Sequence, residues 1–166
     1  FTGWDYSEPH GWLVMRRAVI TGVGIISSLG NNYQEVIESL KTARSGIKKD
    51  QEFAAMGMRS QISGAINIDP ETLIDRKHYR FMNKASGYGY LAMQQAIEDS
   101  TLAADQVSNN RTGLVVATGG PATSDIVDAV DVFKAKGIRR VGPYRVTKGM
   151  CSSISSVLAT HFGIRG

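Results

Sequence analysis

Hydrophobic and polar positions along this chain switch repeatedly between two periods. In "RRAVITGVG", Ala18 to Thr21 make a short β-rich apolar run ending in glycine, the pattern of a buried strand entering a loop. "NNYQEVIESLKTARSG" then turns helical. Val36, Ile37 and Leu40 share a face, Asn31 or Asn32 supplies the cap and Ser45-Gly46 the stop. "MRSQISGAINI" alternates as a second strand until Asp69-Pro70 breaks it. From about Asn83 to Ser100 the pattern predicts a long helix with Tyr90, Met93, Ala96 and Ile97 on its apolar face. Ala85, Ser86, Gly87 and Gly89 keep its first half small, which predicts close packing against another element. "RTGLVVATGG" is continuously apolar and reads as a third strand buried on both faces. "SDIVDAVDVFKAKG" reads as a helix capped by Ser124 and stopped by Gly137, and a last helix runs from about Thr147 to Phe162. Strands and helices alternate without repeats, so the expected class is α/β.

Composition adds limits. The chain has 166 residues, 42% hydrophobic and 20% charged, enough for one domain with a real core. One cysteine leaves no disulfide framework or multi-cysteine metal site, which makes a reducing cytoplasm the default expectation. No apolar run approaches the roughly 20 residues of a membrane span. The opening "FTGWDYSEPHGWLV" holds both tryptophans and four of the thirteen aromatics, with no Lys or Arg. It lacks the basic start of a signal peptide. Residues 1–14 therefore read as a non-native leader or upstream translation before a natural start at Met15, with a genuine aromatic docking arm as the alternative. Without Asp5 and Glu8, 19 basic residues face 13 acidic ones, a net +6 that favours an acidic partner.

Two motifs suggest chemistry and fail on spacing. "VITGVGIISSLG" lies between a strand and a helix, as a dinucleotide-binding turn does. The fingerprint's third glycine falls on Ser27, and Gly30 comes three residues too late. Cys151 in "TKGMCSSISSVLATHFGIRG" has His161 ten residues later. On one helix that is about 15 Å along the axis, outside hydrogen-bond reach. Cys151, Ile154 and Leu158 fall at i, i+3 and i+7, so Cys151 reads as a small buried residue. Two basic clusters stand out: Arg76, Lys77 and Arg80 in "DRKHYRF", and Lys134, Lys136, Arg139, Arg140, Arg145 and Lys148 in "KAKGIRRVGPYRVTK". No nucleic-acid-binding module accompanies them.

Taken in order, "RRAVITGVGIISSLGNN", "RSGI", "GMRSQISG", "LIDRKHYRFM" and "VGPYRVTKGM" closely resemble the bacterial β-ketoacyl-acyl carrier protein synthases, from Met15 to Gly166. The "LIDRK" and "VGPY" segments are more similar to the type I than the type II enzymes. The resemblance implies a thiolase-like fold, of which this chain is the first, N-terminal half, and a homodimer in the complete enzyme. It also implies an acyltransferase activity, decarboxylative Claisen condensation of an acyl thioester with malonyl-carrier protein in fatty-acid elongation. A cysteine takes the acyl chain, backbone amides stabilise the oxyanion, and two histidines assist. No cofactor or metal is implied, since substrates arrive on the phosphopantetheine of acyl carrier protein.

The same resemblance assigns positions. Arg76, Lys77 and Arg80, with Arg139 in a second basic segment, match the carrier-protein-binding patch. Met150, Gly119 and Gly120 match positions around the acyl-chain pocket, although "GGPATSD" departs from the usual form there. No catalytic residue matches. The family's nucleophile follows a strand beyond the segment matching "LATHFGIRG", and none of His10, His78 or His161 (which stands where the family usually has proline) matches a catalytic histidine. The expectation is thus a 15–166 synthase domain truncated before its nucleophile and inactive by itself. The alternative is a non-enzymatic relative that docks carrier protein or sets chain length.

Overall fold

The computed structural model describes residues 17–166, so the leader and Met15 lie outside the described residues. Its elements are α1 (Tyr33–Lys41), β1 (Lys48–Lys49), α2 (Gln51–Ala55), β2 (Ile62–Ser63), α3 (Pro70–Leu73), α4 (Arg76–Tyr79), α5 (Lys84–Ser100), α6 (Ala104–Val107), α7 (Thr123–Lys136), a 3-10 turn (Ile138–Arg140), α8 (Arg145–Gly149) and α9 (Ser153–Phe162). Side chains that accept from the first free amides set several helix starts. Asn32 caps α1 through the Glu35 amide at 2.9 Å, Asp69 and Asp75 cap α3 and α4, and Asn83 caps α5 through the Ser86 amide at 2.8 Å.

The core gathers where α3, α4, α5 and α9 meet. Ile74, Tyr79, Met82 and Val157 form a buried cluster with Tyr90 and Leu91 packed against it. The small-residue half of α5 provides the close approach that its sequence predicts. Ser86 is fully buried and its hydroxyl lies 3.2 Å from that of Ser153, while a Cβ on Gly89 would stand 2.6 Å from Ile154 Cδ1. Ile154 and Leu158 of α9 turn inward as expected.

The paired strands are shorter than the sequence suggests. Among the described residues the one ladder pairs Lys48 with Ser63 and Lys49 with Ile62, antiparallel, so the expected strand over 58–68 contributes two residues to it. Residues 18–21 and 112–118 join no ladder among the described residues. Val19, Ile20 and Val115 are exposed, the last completely, which corrects the expectations of a buried first strand and of a third strand buried on both faces. From Thr112 to Thr118 half-buried and exposed positions alternate, so one face is covered and the other open. A strand needs a non-local partner to close its hydrogen bonds, and local apolar patterning does not supply one.

In place of a ladder, the 22–31 segment lies against α5. The Val23 amide donates to Asp99 Oδ2 at 2.9 Å, the Ile25 amide to Gln95 Oε1 at 3.1 Å, and Gln95 Nε2 returns a bond to the Asn31 carbonyl at 2.7 Å. Any Cβ on Gly22 or Gly24 would collide with the carbonyls of Ala96 or Ala92. The glycines of "TGVG" therefore serve helix packing.

Further differences concern helix ends and faces. In α1, Leu40 is exposed and Ser39 takes the inward position, its hydroxyl donating to the Leu29 carbonyl at 2.6 Å and the Glu35 carbonyl at 2.8 Å. That helix already ends at Lys41, before Ser45-Gly46. Helix α7 starts at Thr123 after Ala122, not after a Ser124 cap, and does end at Gly137, whose φ is +74°. The single helix expected over 147–162 is broken at Met150, which has extended backbone. Cys151 consequently precedes α9, lies off its inward stripe and is exposed, contrary to the expected burial.

Candidate functional site

The basic turn is built by burying apolar residues on either side of it. Ile74, Tyr79 and Met82 anchor the segment in the core, and Asp75 accepts from the Lys77 amide at 2.7 Å. Arg76, Lys77 and Arg80 are left exposed on one short helix and its cap. Arg80 does not hang free: its Cζ lies 4.6 Å from the Phe81 ring centroid and 5.4 Å from that of Tyr144. The two rings meet edge to face at 4.8 Å. Arg139, in the exposed 3-10 turn, belongs to the segment leading into Tyr144. Asn83 Nδ2 donates to the Lys148 carbonyl at 2.7 Å, and Lys148 Nζ stands 5.8 Å from the Tyr79 ring. These contacts join the two basic segments that the sequence shows as separate. Burial, reinforced by Asp69, Glu71 and Asp125, raises the Tyr79 phenol above its ordinary value. The arrangement is a set of exposed cations on an anchored turn, with Arg80 held on aromatic rings, suited to meeting an acidic surface.

The residues assigned to an acyl pocket are partly brought together. A small recess of about 60 Å³ is lined by Gly120, Met150 and Cys151 with Asn83, Ser86 and Ile154. Gly119 is not part of its wall, and a Cβ on either glycine would meet open space. Thr118 Oγ1 donates to the Gly120 carbonyl at 3.0 Å and reaches the Cys151 carbonyl at 3.4 Å. Met150 is half exposed here, so the recess is an open notch.

Histidine and cysteine chemistry does not converge. Cys151 and His161 flank opposite ends of α9. His161 instead packs on His78, ring centroids 4.3 Å apart, and on Tyr90 at 5.5 Å. Burial first, and His78 second, lower the His161 imidazole below its ordinary value. No group of three metal-ligating side chains exists among the described residues. A larger recess, about 530 Å³, lies between α5, α6 and α9 and includes Gln94, Val107, His161 and Phe162. None of the positions assigned by resemblance lines it. Sequence reasoning missed Phe81, Tyr144 and Asn83 as supports of the basic surface, and the only signal for them was adjacency to Arg80 and the "VGPY" segment.

The model of the β-ketoacyl synthase N-terminal domain matches residues 15–166, and the chain belongs to that family. Within it, the chain is 53% identical over 153 residues to the 3-oxoacyl-[acyl-carrier-protein] synthase 1 of Haemophilus influenzae and 49% identical over 154 residues to that of Escherichia coli. Each match covers 92% of this chain and 38% of the relative, so the chain spans well under half the length of those proteins. Among solved structures, a β-ketoacyl synthase from Burkholderia phymatum superposes with a TM-score of 0.78 at 20% identity, over 92% of this chain and 38% of that one. A ketosynthase in complex with a type II PKS acyl-carrier protein superposes with a TM-score of 0.68 at 24% identity, over 89% of this chain and 39% of that one. The fold is thus the N-terminal portion of the thiolase-like β-ketoacyl synthase fold, and the α/β expectation holds at that level.

Proposed function

We propose that this chain is the carrier-docking portion of a 3-oxoacyl-[acyl-carrier-protein] synthase of the type I, fatty-acid-elongating kind. The complete protein is read as a cytoplasmic homodimeric acyltransferase. It condenses an acyl thioester with malonyl-carrier protein, releasing carbon dioxide as the new carbon–carbon bond forms. In this reading the chain supplies Arg76, Lys77, Arg80 and Arg139 as the docking surface, and Met150, Gly119 and Gly120 as part of the acyl-chain pocket. It supplies no nucleophile or catalytic histidine. No resident cofactor takes part, because the substrates come attached to the carrier's phosphopantetheine.

One observation carries the reading: the basic turn is exposed yet anchored through Tyr79 and Met82 to the core, in a chain of the β-ketoacyl synthase family. A rigid cationic face steers an acidic partner into register and raises its encounter rate, and salt weakens both effects. The solved ketosynthase with its acyl-carrier protein supports that kind of partner. Exposed Ile126, Val127, Val130 and Phe133 on α7 support burial of that face in a larger assembly.

The test measures binding and turnover side by side. The chain should bind phosphopantetheinylated acyl carrier protein and show no condensation. The combined variant R76E, K77E and R80E should lose about tenfold or more of that affinity at low ionic strength, with the deficit shrinking as salt rises. Unchanged affinity at low salt removes these residues from the docking surface. Measurable condensation by the chain alone overturns the assignment of its catalytic groups elsewhere.

A further inference from the structure

We propose that Tyr144 is a positioning residue for Arg80. Together with Phe81, it holds the guanidinium in a preset orientation and joins the 76–80 and 139–145 segments into one docking surface. The inference rests on the docking reading above and deepens it.

The geometry places the Arg80 Cζ within stacking distance of both rings, 4.6 Å from Phe81 and 5.4 Å from Tyr144, inside the roughly 6 Å range of cation–π attraction. The rings brace one another edge to face at 4.8 Å and 79°. A guanidinium lying on aromatic faces keeps its N–H edge free for a carboxylate. Arginine otherwise gives up much rotamer freedom on docking, and a side chain already held in place gives up less.

Tyr144 is itself held. Its carbonyl accepts from the Lys148 amide at 3.2 Å and from Thr147 Oγ1 at 2.8 Å, and it forms the N-cap of α8. The Lys148 carbonyl in turn accepts from Asn83, the cap of α5. Tyr144 thus ties the segment carrying Arg139 and Arg140 to the segment carrying Arg76 and Lys77. Its own phenol hydroxyl has no hydrogen-bond partner among the described residues, so the ring face carries the role.

The test uses the full chain with phosphopantetheinylated acyl carrier protein, in a double-mutant cycle with Arg80. Y144A and Y144L should weaken binding about two- to fivefold, the range of an exposed cation–π contact, while Y144F keeps wild-type affinity. In the R80E background Y144L should add nothing further. Independently of docking, the Arg80 side-chain protons should show an upfield ring-current shift in NMR that persists in Y144F and shrinks in Y144L, where Phe81 alone still faces the guanidinium. Three results would overturn the proposal: wild-type affinity in Y144L, an undiminished Y144L effect in the R80E background, or Arg80 shifts indifferent to the ring. Unchanged affinity in the combined R76E, K77E and R80E variant would sink the docking reading, and this inference with it, whereas a deficit there with none in R80E, or a deficit in R80E with none in Y144L, sinks only the role of Tyr144.

Discussion

The two ends of α5 sit in unlike surroundings. At its N-terminal end, Met82, Ser86 and Gly87 are buried against α3, α4 and α9, and small residues let the elements touch. Toward its C-terminal end, side chains of Gln95 and Asp99 hold the backbone of the 22–31 segment by three hydrogen bonds, with Val19, Ile20 and Val23 exposed beside it. The first region buries its apolar side chains against one another. The second ties its backbone to side chains of α5 while leaving apolar side chains exposed. The candidate docking surface stands on the packed region, which anchors the backbone of the basic turn through Tyr79 and Met82.

The largest expected effect tests that contrast directly. Met82→Ala should cost about 2–5 kcal/mol, because a fully buried side chain loses its contacts and leaves a cavity. Ile20→Ala, at an exposed position beside the 22–31 segment, should stay within about 0.5 kcal/mol. Denaturation midpoints of the two variants measure this. Comparable losses would show that the open flank is as packed as the corner.

Next in size is the joint between helix and docking surface. Asn83 is buried, caps α5 and donates to the Lys148 carbonyl. Asn83→Ala removes both bonds and should cost about 2–3 kcal/mol, a cap plus a carbonyl left without its donor. Asn83→Asp keeps an acceptor for the Ser86 amide and loses the donor, so it should fall between wild type and Asn83→Ala in chemical denaturation. Equal losses in both would mean that the cap contributes nothing.

These variants also mark where sequence reasoning succeeds. The cap of α1 at Asn31 or Asn32, the start of the long helix near Asn83, the stop at Gly137 and the close packing of "ASGYG" are local facts, set by residue type and spacing, and the structure bears them out, with Asn32 as the cap. The strands at 18–21 and 112–118 depend on partners far along the chain, which local pattern does not encode. Ser39 displaced Leu40 from the inner face of α1 because its hydroxyl satisfies the Leu29 carbonyl, a contact with no sequence signature. Cys151 read as buried only while one helix was assumed through Met150. At the candidate site, the clustering of Arg76, Lys77 and Arg80 was plain, and the aromatic pair joining them to the 139–148 segment required coordinates.

A smaller effect is expected from the ion pair between Arg145 and Asp128, which links α8 to α7. Its Asp128 side chain is 57% exposed, so water and salt screen it. Asp128→Asn should cost less than about 1 kcal/mol, and the difference should vanish in high salt. A loss above that, or one insensitive to salt, would make the outer face of α7 part of the packed region.

The smallest change concerns His161, at the edge between the packed corner and the larger recess. Burial and the neighbouring His78 hold its imidazole below the ordinary value, so the folded state favours the neutral ring. As pH falls through about 6.5, the unfolded chain takes up this proton before the folded one does, and stability drops until the lowered folded value is passed. Above that window the contribution is fully present. His161→Phe keeps an aromatic ring against Tyr90 and removes the proton, so its stability should be flatter between neutral and mildly acidic pH. His78→Gln removes only the second cause and should shorten the acidic limb without abolishing it. Thermal melts of the three proteins across that range decide the point: an acidic limb of equal depth in His161→Phe would assign the pH dependence to another group.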